Sequence, residues 1–257
     1  MIVAQRAVPG GRLALAACLA TLALPAGAAR AAPGPTRPGA VYSRPAAVLS
    51  NETTRSTWTV ADYSSIIRSA PTPRARGVGR LEFQTPDGFL QSYLLLRQRW
   101  TRQGAWVLLR IPGRPNGRVG WVRRGALDSF HRTNMQIVVD RESERLTLYR
   151  NGRAIFQAPV GTGKPSTPTP PGHFWITESF GGFGDPFYGP WAFGTSDYST
   201  ISDWPGGGIV GIHGTNEPQL VPGHPSHGCI RMHNGDVLTL ERLLGGESAI
   251  GTPLLVK

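Results

Sequence analysis

The chain has 257 residues and a formal net charge of +11, from 27 Lys and Arg against 16 Asp and Glu. It has two cysteines, Cys18 and Cys229, and the first lies in a segment that reads as a cleavable leader. A single remaining thiol excludes an intramolecular disulfide, so the fold must rest on core burial, which a chain of this length allows.

In the leader, Arg6 and Arg12 precede an apolar run at 13–24, followed by Pro25-Ala-Gly-Ala28 and Ala29-Arg-Ala-Ala32. A basic start, a short apolar stretch and small residues in an Ala-x-Ala pattern predict a secretory signal over residues 1–32, cleaved near Ala28 or Ala32. The 12-residue run is too short to span a bilayer comfortably. Leu15-Ala-Ala-Cys18 also fits a lipoprotein box. That is the lesser alternative, because only five apolar residues precede Cys18 and the run continues past it. Without residues 1–32 the net charge is +8, unevenly spread. Residues 33–132 carry 16 basic and 5 acidic side chains, and residues 133–257 carry 8 and 11. The split points to two modules with different partners. On an exported protein in the cell envelope, a basic face meets anionic wall polymers or lipid headgroups before nucleic acid, which is not expected as a partner; a plain solvated surface is the alternative.

Residues 33–56 are rich in Pro, Gly, Ser, Thr and Arg without apolar periodicity, and read as a linker. Short apolar runs follow at 58–63, 78–83, 89–96, 106–111 and 119–122. Turn sequences separate them, among them Pro86-Asp-Gly88 and Arg114-Pro-Asn-Gly117. Strands at this spacing predict a small β barrel over 57–130. Trp58, Trp100, Trp106 and Trp121 read as core side chains ahead of a ligand platform. The stretch from Trp106 to Val122 resembles bacterial Src-homology-3-like wall modules.

The second module spans 133–257. Ile137-Val-Val139 and Arg145-Leu-Thr-Leu-Tyr149 alternate, Asn151-Gly152 is a two-residue hairpin signal, and 154–160 supplies the return strand. A Pro- and Thr-rich loop at 163–172 leads into a strand at 173–177. Residues 179–208 read as a long loop. Its aromatics (Phe183, Phe187, Tyr188, Trp191, Phe193, Tyr198 and Trp204) suggest a flap or wall over a binding site, with Tyr188 and Trp191 as candidate substrate contacts. Ile209-Val-Gly-Ile212 is a short buried strand, Asn234 is placed to cap a helix ending at Gly245, and a last strand covers 252–256. The fold class expected is mainly β: a small barrel, then a sandwich with one short helix.

Between 213 and 234 the chain holds His213, His224, His227, Cys229, Arg231 and His233. Three readings compete. Cys229 can be a nucleophile activated by a histidine, with His227 two residues away and His213 16 residues upstream as possible partners, and with the N–H groups of Gly228 and Cys229 as an oxyanion hole. The four histidines and the cysteine can bind zinc, although no paired metal motif supports it. Cys229 can also be a small buried hydrophobe, but a loop this dense in Gly and Pro argues for function.

At His213-Gly-Thr-Asn216, Ser226-His-Gly-Cys229, Ile230-Arg-Met-His-Asn234 and Thr169-Pro-Pro-Gly172 the sequence resembles the L,D-transpeptidase (YkuD-type) catalytic domain; Gly189-Pro-Trp191 and Gly251-Thr-Pro253 also fit. The resemblance implies a β-sandwich with a catalytic loop, no metal or organic cofactor, and Cys229 as nucleophile. It makes His213 the general base and acid, oriented by the Gly214 carbonyl. Gly228 would donate an oxyanion N–H; of the candidate substrate-site residues, Ser226 would order the loop, His227 would shape the site, and Arg231 would meet a substrate carboxylate or fix the loop. It further implies acyl transfer between peptidoglycan stem peptides through a Cys229 thioester, and inhibition by carbapenem-type β-lactams. An L,D-carboxypeptidase of the same fold and a non-catalytic wall-binding protein are the alternatives.

Overall fold

The computed structural model describes residues 45–181, 184–203 and 207–257. The signal, Cys18, most of the linker, Phe183 and Trp204 lie outside the described residues.

Eight strands form a first, wholly antiparallel sheet. They are β1 (Ala47–Val48), β2 (Ser56–Val60), β3 (Ile66–Arg68), β4 (Gly77–Arg80), β5 (Ser92–Thr101), β6 (Gly104–Arg110), β7 (Val119–Arg123) and β8 (His131–Thr133). Their order is β4-β3-β7-β6-β5-β2-β8, with β1 added to β5. Ile67, Leu81, Tyr93, Leu95, Val107, Leu109 and Val122 close its core. At about 1.5–3 kcal/mol for each large apolar side chain buried, such a cluster holds a small sheet together without a disulfide. The runs at 106–111 and 119–122 are strands as expected. β5 continues to Thr101 because residues 97–101, charged and half-exposed, still pair with β6. β3 is three residues long, too short for its alternation to register. Trp106 is buried, whereas Trp100 lies 39% exposed.

The second sheet holds β9 (Met135–Asp140), β10 (Arg145–Arg150), β11 (Arg153–Pro159), β12 (Gly161–Gly163), β13 (Gly172–Gly181), β14 (Trp191–Tyr198), β15 (Ile209–His213), β16 (Gly223–Ser226), β17 (Ile230–Arg231) and β18 (Pro253–Val256), with one helix, α1 (Asn234–Leu244), before β18. The order is β11-β10-β9-β18-β13-β14-β15-β17-β12-β16. β13 joins two leaves: its first residues pair with β18 and its last with β14. One apolar cluster takes Ile137, Leu146 and Leu148 from the first leaf, Phe193, Ile212 and Ile230 from the second, and Val237 and Leu240 from α1. Both leaves therefore face a shared core. The mainly β expectation with one α-helix describes this architecture among the described residues.

Two expectations are corrected. Residues 179–208 are not one long loop: β13 runs to Gly181, and 191–198 are a core strand. β14 is buried almost end to end and carries Gly194, Thr195 and Ser196, so it shows neither an apolar run nor alternation. Asn234 does not cap the helix from outside; it is the first helical residue, after His233. Its side-chain oxygen instead accepts the Thr215 N–H at 2.9 Å, tying the helix start to the chain just beyond β15. Gly245 ends the helix in the left-handed conformation, as expected.

The two sheets meet through specific contacts. Trp58 of β2 packs so closely on Gly251 that any side chain there would collide with the indole, and Trp175 of β13 donates its indole N–H to Ser92 Oγ of β5 at 3.1 Å. Glu52, held within the first module by a two-pronged ion pair with Arg110, also lies 3.4 Å from His173 Nδ1 of β13.

Candidate active site

β15 and β17 run parallel with Ile212 opposite Ile230 and His213 opposite Arg231. This pairing brings the end of one strand and the start of another to one edge, and residues 226–229 lead directly into it. Gly211, on β15, marks how near the His213 and Cys229 side chains come. A methyl group built there would lie 3.6 Å from His213 Cδ2 and 4.0 Å from Cys229 Sγ, and the Gly211 N–H points at the sulfur at 3.5 Å. Cys229 and His213 line one cleft of about 400 Å³, its open mouth included, together with Phe187, Ser199, His227 and Arg231.

His213 is only 1% exposed. Its Nδ1–H donates to the Gly214 carbonyl at 2.6 Å, which leaves Nε2 as the acceptor, and Nε2 has no protein partner. Burial pushes the imidazole down to about 4; the Arg231 charge adds to this and the Gly214 carbonyl opposes it. The Cys229 thiol is pushed up by burial and by Asp197, while the Gly211 N–H and Arg231 pull it down. Both effects of burial favour neutral forms. The resting pair is therefore a thiol and a neutral imidazole.

Hydrogen bonds fix the loop that carries the thiol. Ser226 Oγ donates to the Cys229 carbonyl at 2.6 Å and accepts the Gly228 N–H at 3.1 Å. Thr169, fully buried, donates to the Gly228 carbonyl at 2.7 Å and accepts the Gly163 N–H. Ser199 Oγ donates to the His227 carbonyl at 2.8 Å, and Gly228, at φ +131°, leaves only 3.0 Å between a would-be Cβ and that oxygen. A residue larger than glycine would have to displace Ser199. His227 accepts from Lys164 Nζ at 2.8 Å. Arg231, 4% exposed, donates to Glu217 at 2.7 Å and lies over the Phe187 ring at 4.5 Å. Tyr188 sets its ring edge-on to His213 at 5.1 Å between centroids.

Two sequence assignments change. The Gly228 N–H is already donated to Ser226 Oγ, so it serves the loop and is not offered as an oxyanion donor. Trp191 is no substrate contact: its N–H donates to Ser179 Oγ and its ring packs near Phe193. Ser226 lines the cleft and holds the thiol loop through its two backbone hydrogen bonds. His224 is held by Thr162 and Glu144, and His233 by Pro218 and Asp236. Among the described residues no three His, Cys, Asp or Glu side chains gather as metal ligands.

Sequence reasoning missed several residues around the site. Asp197, fully buried on β14, is pushed up to about 8 by burial, against the pull of the Asn116 amide and the backbone at Tyr198. Its Oδ1 accepts from Asn116 at 2.7 Å. Ser199, Glu217 and Thr169 hold the loop or Arg231, and Arg114 reaches the same cleft wall from the first sheet. Only Thr169 carried a signal, through the Thr-Pro-Pro-Gly motif; the others sit in ordinary turn or strand sequence.

Residues 134–254 match the family model of the L,D-transpeptidase catalytic domain, YkuD. A Bacillus licheniformis protein named as the L,D-transpeptidase YkuD is 35% identical over 167 residues, covering 64% of this chain and 93% of that protein. A Bacillus subtilis protein named as the L,D-transpeptidase YqjB is 30% identical over 129 residues, 47% of this chain and 69% of that protein. Among solved structures, an Enterococcus faecium L,D-transpeptidase variant is 27% identical, covering 48% of this chain and 49% of that one, with a TM-score of 0.37. This chain thus spans about half the length of that structure. On the match to the Bacillus licheniformis protein over nearly its whole length, together with the family model, the chain belongs to the L,D-transpeptidase (YkuD) family.

Proposed function

We propose that the protein is an exported L,D-transpeptidase that crosslinks peptidoglycan stems through a thioester on Cys229. The observation that supports this most directly is His213: a buried imidazole locked by the Gly214 carbonyl, with an unpartnered Nε2, on the same small cleft as the thiol. When a donor stem binds, the thiol proton passes to Nε2 as sulfur attacks the carbonyl at the L-centre of a diamino acid, taken as meso-diaminopimelate. The C–N bond to the terminal D-alanine then breaks, and the imidazolium protonates the leaving amine. A side-chain amine of a second stem attacks the thioester. Nε2 takes its proton and returns it to the departing sulfur. Because both groups rest neutral, proton transfer accompanies attack rather than preceding it. The oxyanion contact falls to the Cys229 N–H, since Gly228 is engaged with Ser226. Between the two roles open to Arg231, its ties to Glu217 and Phe187 favour fixing the loop.

The N-terminal sheet is, on this reading, a Src-homology-3-like module whose basic surface meets anionic wall polymers. Part of its arginine content is committed inside the fold, because Arg68, Arg118 and Arg124 all donate to backbone carbonyls. Sedimentation of the whole chain with purified sacculi across a salt series tests the surface; binding that ignores salt sinks it.

The enzymatic reading is tested with the mature protein and a tetrapeptide donor, with and without an acceptor amine. Crosslinked dimer is expected with the acceptor present, and none from Cys229→Ala. Release of D-alanine with no dimer formed would make it the carboxypeptidase instead. Undiminished crosslinking by Cys229→Ala would sink the assignment. Treatment with a carbapenem should add one inhibitor mass, located at Cys229.

A further inference from the structure

One wall of the cleft is held by the other sheet. The turn between β6 and β7, Arg114-Pro-Asn-Gly117, reaches across to β14 and the chain beyond it. Arg114 donates through Nε and Nη2 to the Ser199 carbonyl at 3.0 and 2.6 Å, through Nη2 to the Ile201 carbonyl at 2.7 Å, and through Nη1 to the Gly207 carbonyl at 2.8 Å. Its guanidinium also lies 5.2 Å from the Tyr198 ring centroid. Three carbonyls on both limbs of one excursion of the chain thus converge on a single planar donor. An ammonium group, a point charge with no fork, cannot span them in this way. Gly208 completes the fit, because a side chain there would collide with the Ile201 carbonyl and approach Arg114 Nη2 to 2.6 Å. Two residues on, Asn116 donates to Asp197 Oδ1 at 2.7 Å and to the Tyr198 carbonyl at 3.0 Å, and accepts the Tyr198 N–H at 3.2 Å.

The segment held in this way is part of the site. Ser199, Ile201 and Gly208 line the cleft with Cys229 and His213. The Ser199 carbonyl takes two of the Arg114 bonds, while its hydroxyl donates to the His227 carbonyl and packs against Gly228. The line from Arg114 to Cys229 therefore runs through Ser199 and the His227–Gly228 backbone, two non-covalent steps and then the chain itself.

We propose that Arg114 and Asn116 are positioning residues for acyl transfer: they fix the cleft wall at residues 197–201 and 207–208, which keeps the thiol loop in place and water away from the thioester. The first sheet then completes the active site instead of only tethering it. The inference deepens the transpeptidase reading and rests on it for the word transfer; the clasp itself does not. Charged or titratable groups around the thiol are His213, Arg231, Asp197 and His227 with its partner Lys164, and the variants substitute none of them.

The experiment uses the full mature chain with Arg114→Ala, Arg114→Lys and Asn116→Ala. Three readouts are taken: melting temperature, the pH–rate profile of Cys229 alkylation by iodoacetamide followed by intact mass, and the ratio of crosslinked to hydrolysed product from a tetrapeptide donor with an acceptor amine. Loss of the clasp should hydrate the thiol. The alkylation profile should then move toward lower pH, and the transfer-to-hydrolysis ratio should fall by about ten-fold or more, the scale of a modest misplacement of reacting groups. Arg114→Lys should behave like Arg114→Ala, because charge without the fork does not restore the contacts. A purely structural arginine would lower the melting temperature and leave both chemical readouts unmoved. Folded Arg114→Lys with a wild-type alkylation profile overturns the clasp, and it decides the matter even if Arg114→Ala does not fold. An altered profile with an unchanged product ratio overturns the role in transfer. If the wild-type protein neither transfers nor hydrolyses the donor, the transpeptidase reading fails, and the alkylation arm still decides the clasp.

Discussion

His213 and Cys229 have opposite charges in a working thiolate–imidazolium pair, yet here burial keeps both neutral at rest. The pH dependence follows from this. The base function needs unprotonated His213, and the imidazole is held down to about 4. The acid limb of the acyl-transfer rate should therefore lie near pH 4, well below an ordinary histidine at about 6.5. A rate profile that collapses between pH 7 and 6 would contradict the neutral resting pair. Gly211→Ala tests the same geometry from the backbone. Its methyl would make only ordinary contacts, at 3.6 Å from His213 and 4.0 Å from the sulfur, so the fold should tolerate it. The added group touches both side chains, and crosslinking should fall by about a hundred-fold with little change in melting temperature.

At the level of elements, the thiol is placed by a loop clamped between two strands and the Pro-rich segment 163–172. Thr169 bonds both to the Gly228 carbonyl and to the Gly163 N–H from a fully buried position. Thr169→Val keeps the shape and orphans both groups, and it should cost about 2–4 kcal/mol in chemical denaturation together with a drop in crosslinking. A loss below about 0.5 kcal/mol would mean the loop is held without it. The elements also show which parts of this site could be read from the chain. Cys229, His213 and Gly214 stand in compact motifs whose residue types carry their own chemistry, and the structure gathers them as those motifs imply. Hairpins such as Asn151-Gly152 were equally legible, because the turn chemistry is local. β14 was not, since a strand buried on both faces shows no alternation and its glycine and hydroxyl residues resemble a loop. Trp191 and the Gly228 N–H misled for a related reason. An aromatic ring or a free N–H near a catalytic motif looks available until its partner, Ser179 or Ser226, is seen. Arg114 and Asn116 lie 115 and 113 residues before Cys229. Nothing local distinguishes their turn from an ordinary hairpin connection.

On the scale of the whole molecule, the Asn116–Asp197 contact joins the two sheets through a buried carboxyl group, and its titration makes that junction measurable. Asp197 is pushed up to about 8 by burial, so the folded protein retains its proton between roughly pH 4 and 8 where an unfolded chain has lost it. The folded state then binds more protons, and this group's contribution to stability declines as pH rises through that window. His213 works in the opposite direction. Its folded value near 4 lies below the unfolded value of about 6.5, so an unfolded chain binds more protons between them and stability falls as pH drops from about 6.5 to 4. The two slopes oppose each other below pH 6.5, and above it only the Asp197 slope remains. Stability attributable to these two groups should accordingly be nearly level from pH 4 to 6.5 and decline from there toward pH 8. Asp197→Asn keeps the shape and an acceptor for the Asn116 amide without a titrating group. Its stability relative to the wild-type protein should grow steadily from pH 5 to pH 8, as read by denaturant unfolding at each pH. A difference that stays constant over that range would show that Asp197 is ionised in the folded protein, and would remove the neutral carboxyl from the junction beneath the active-site wall.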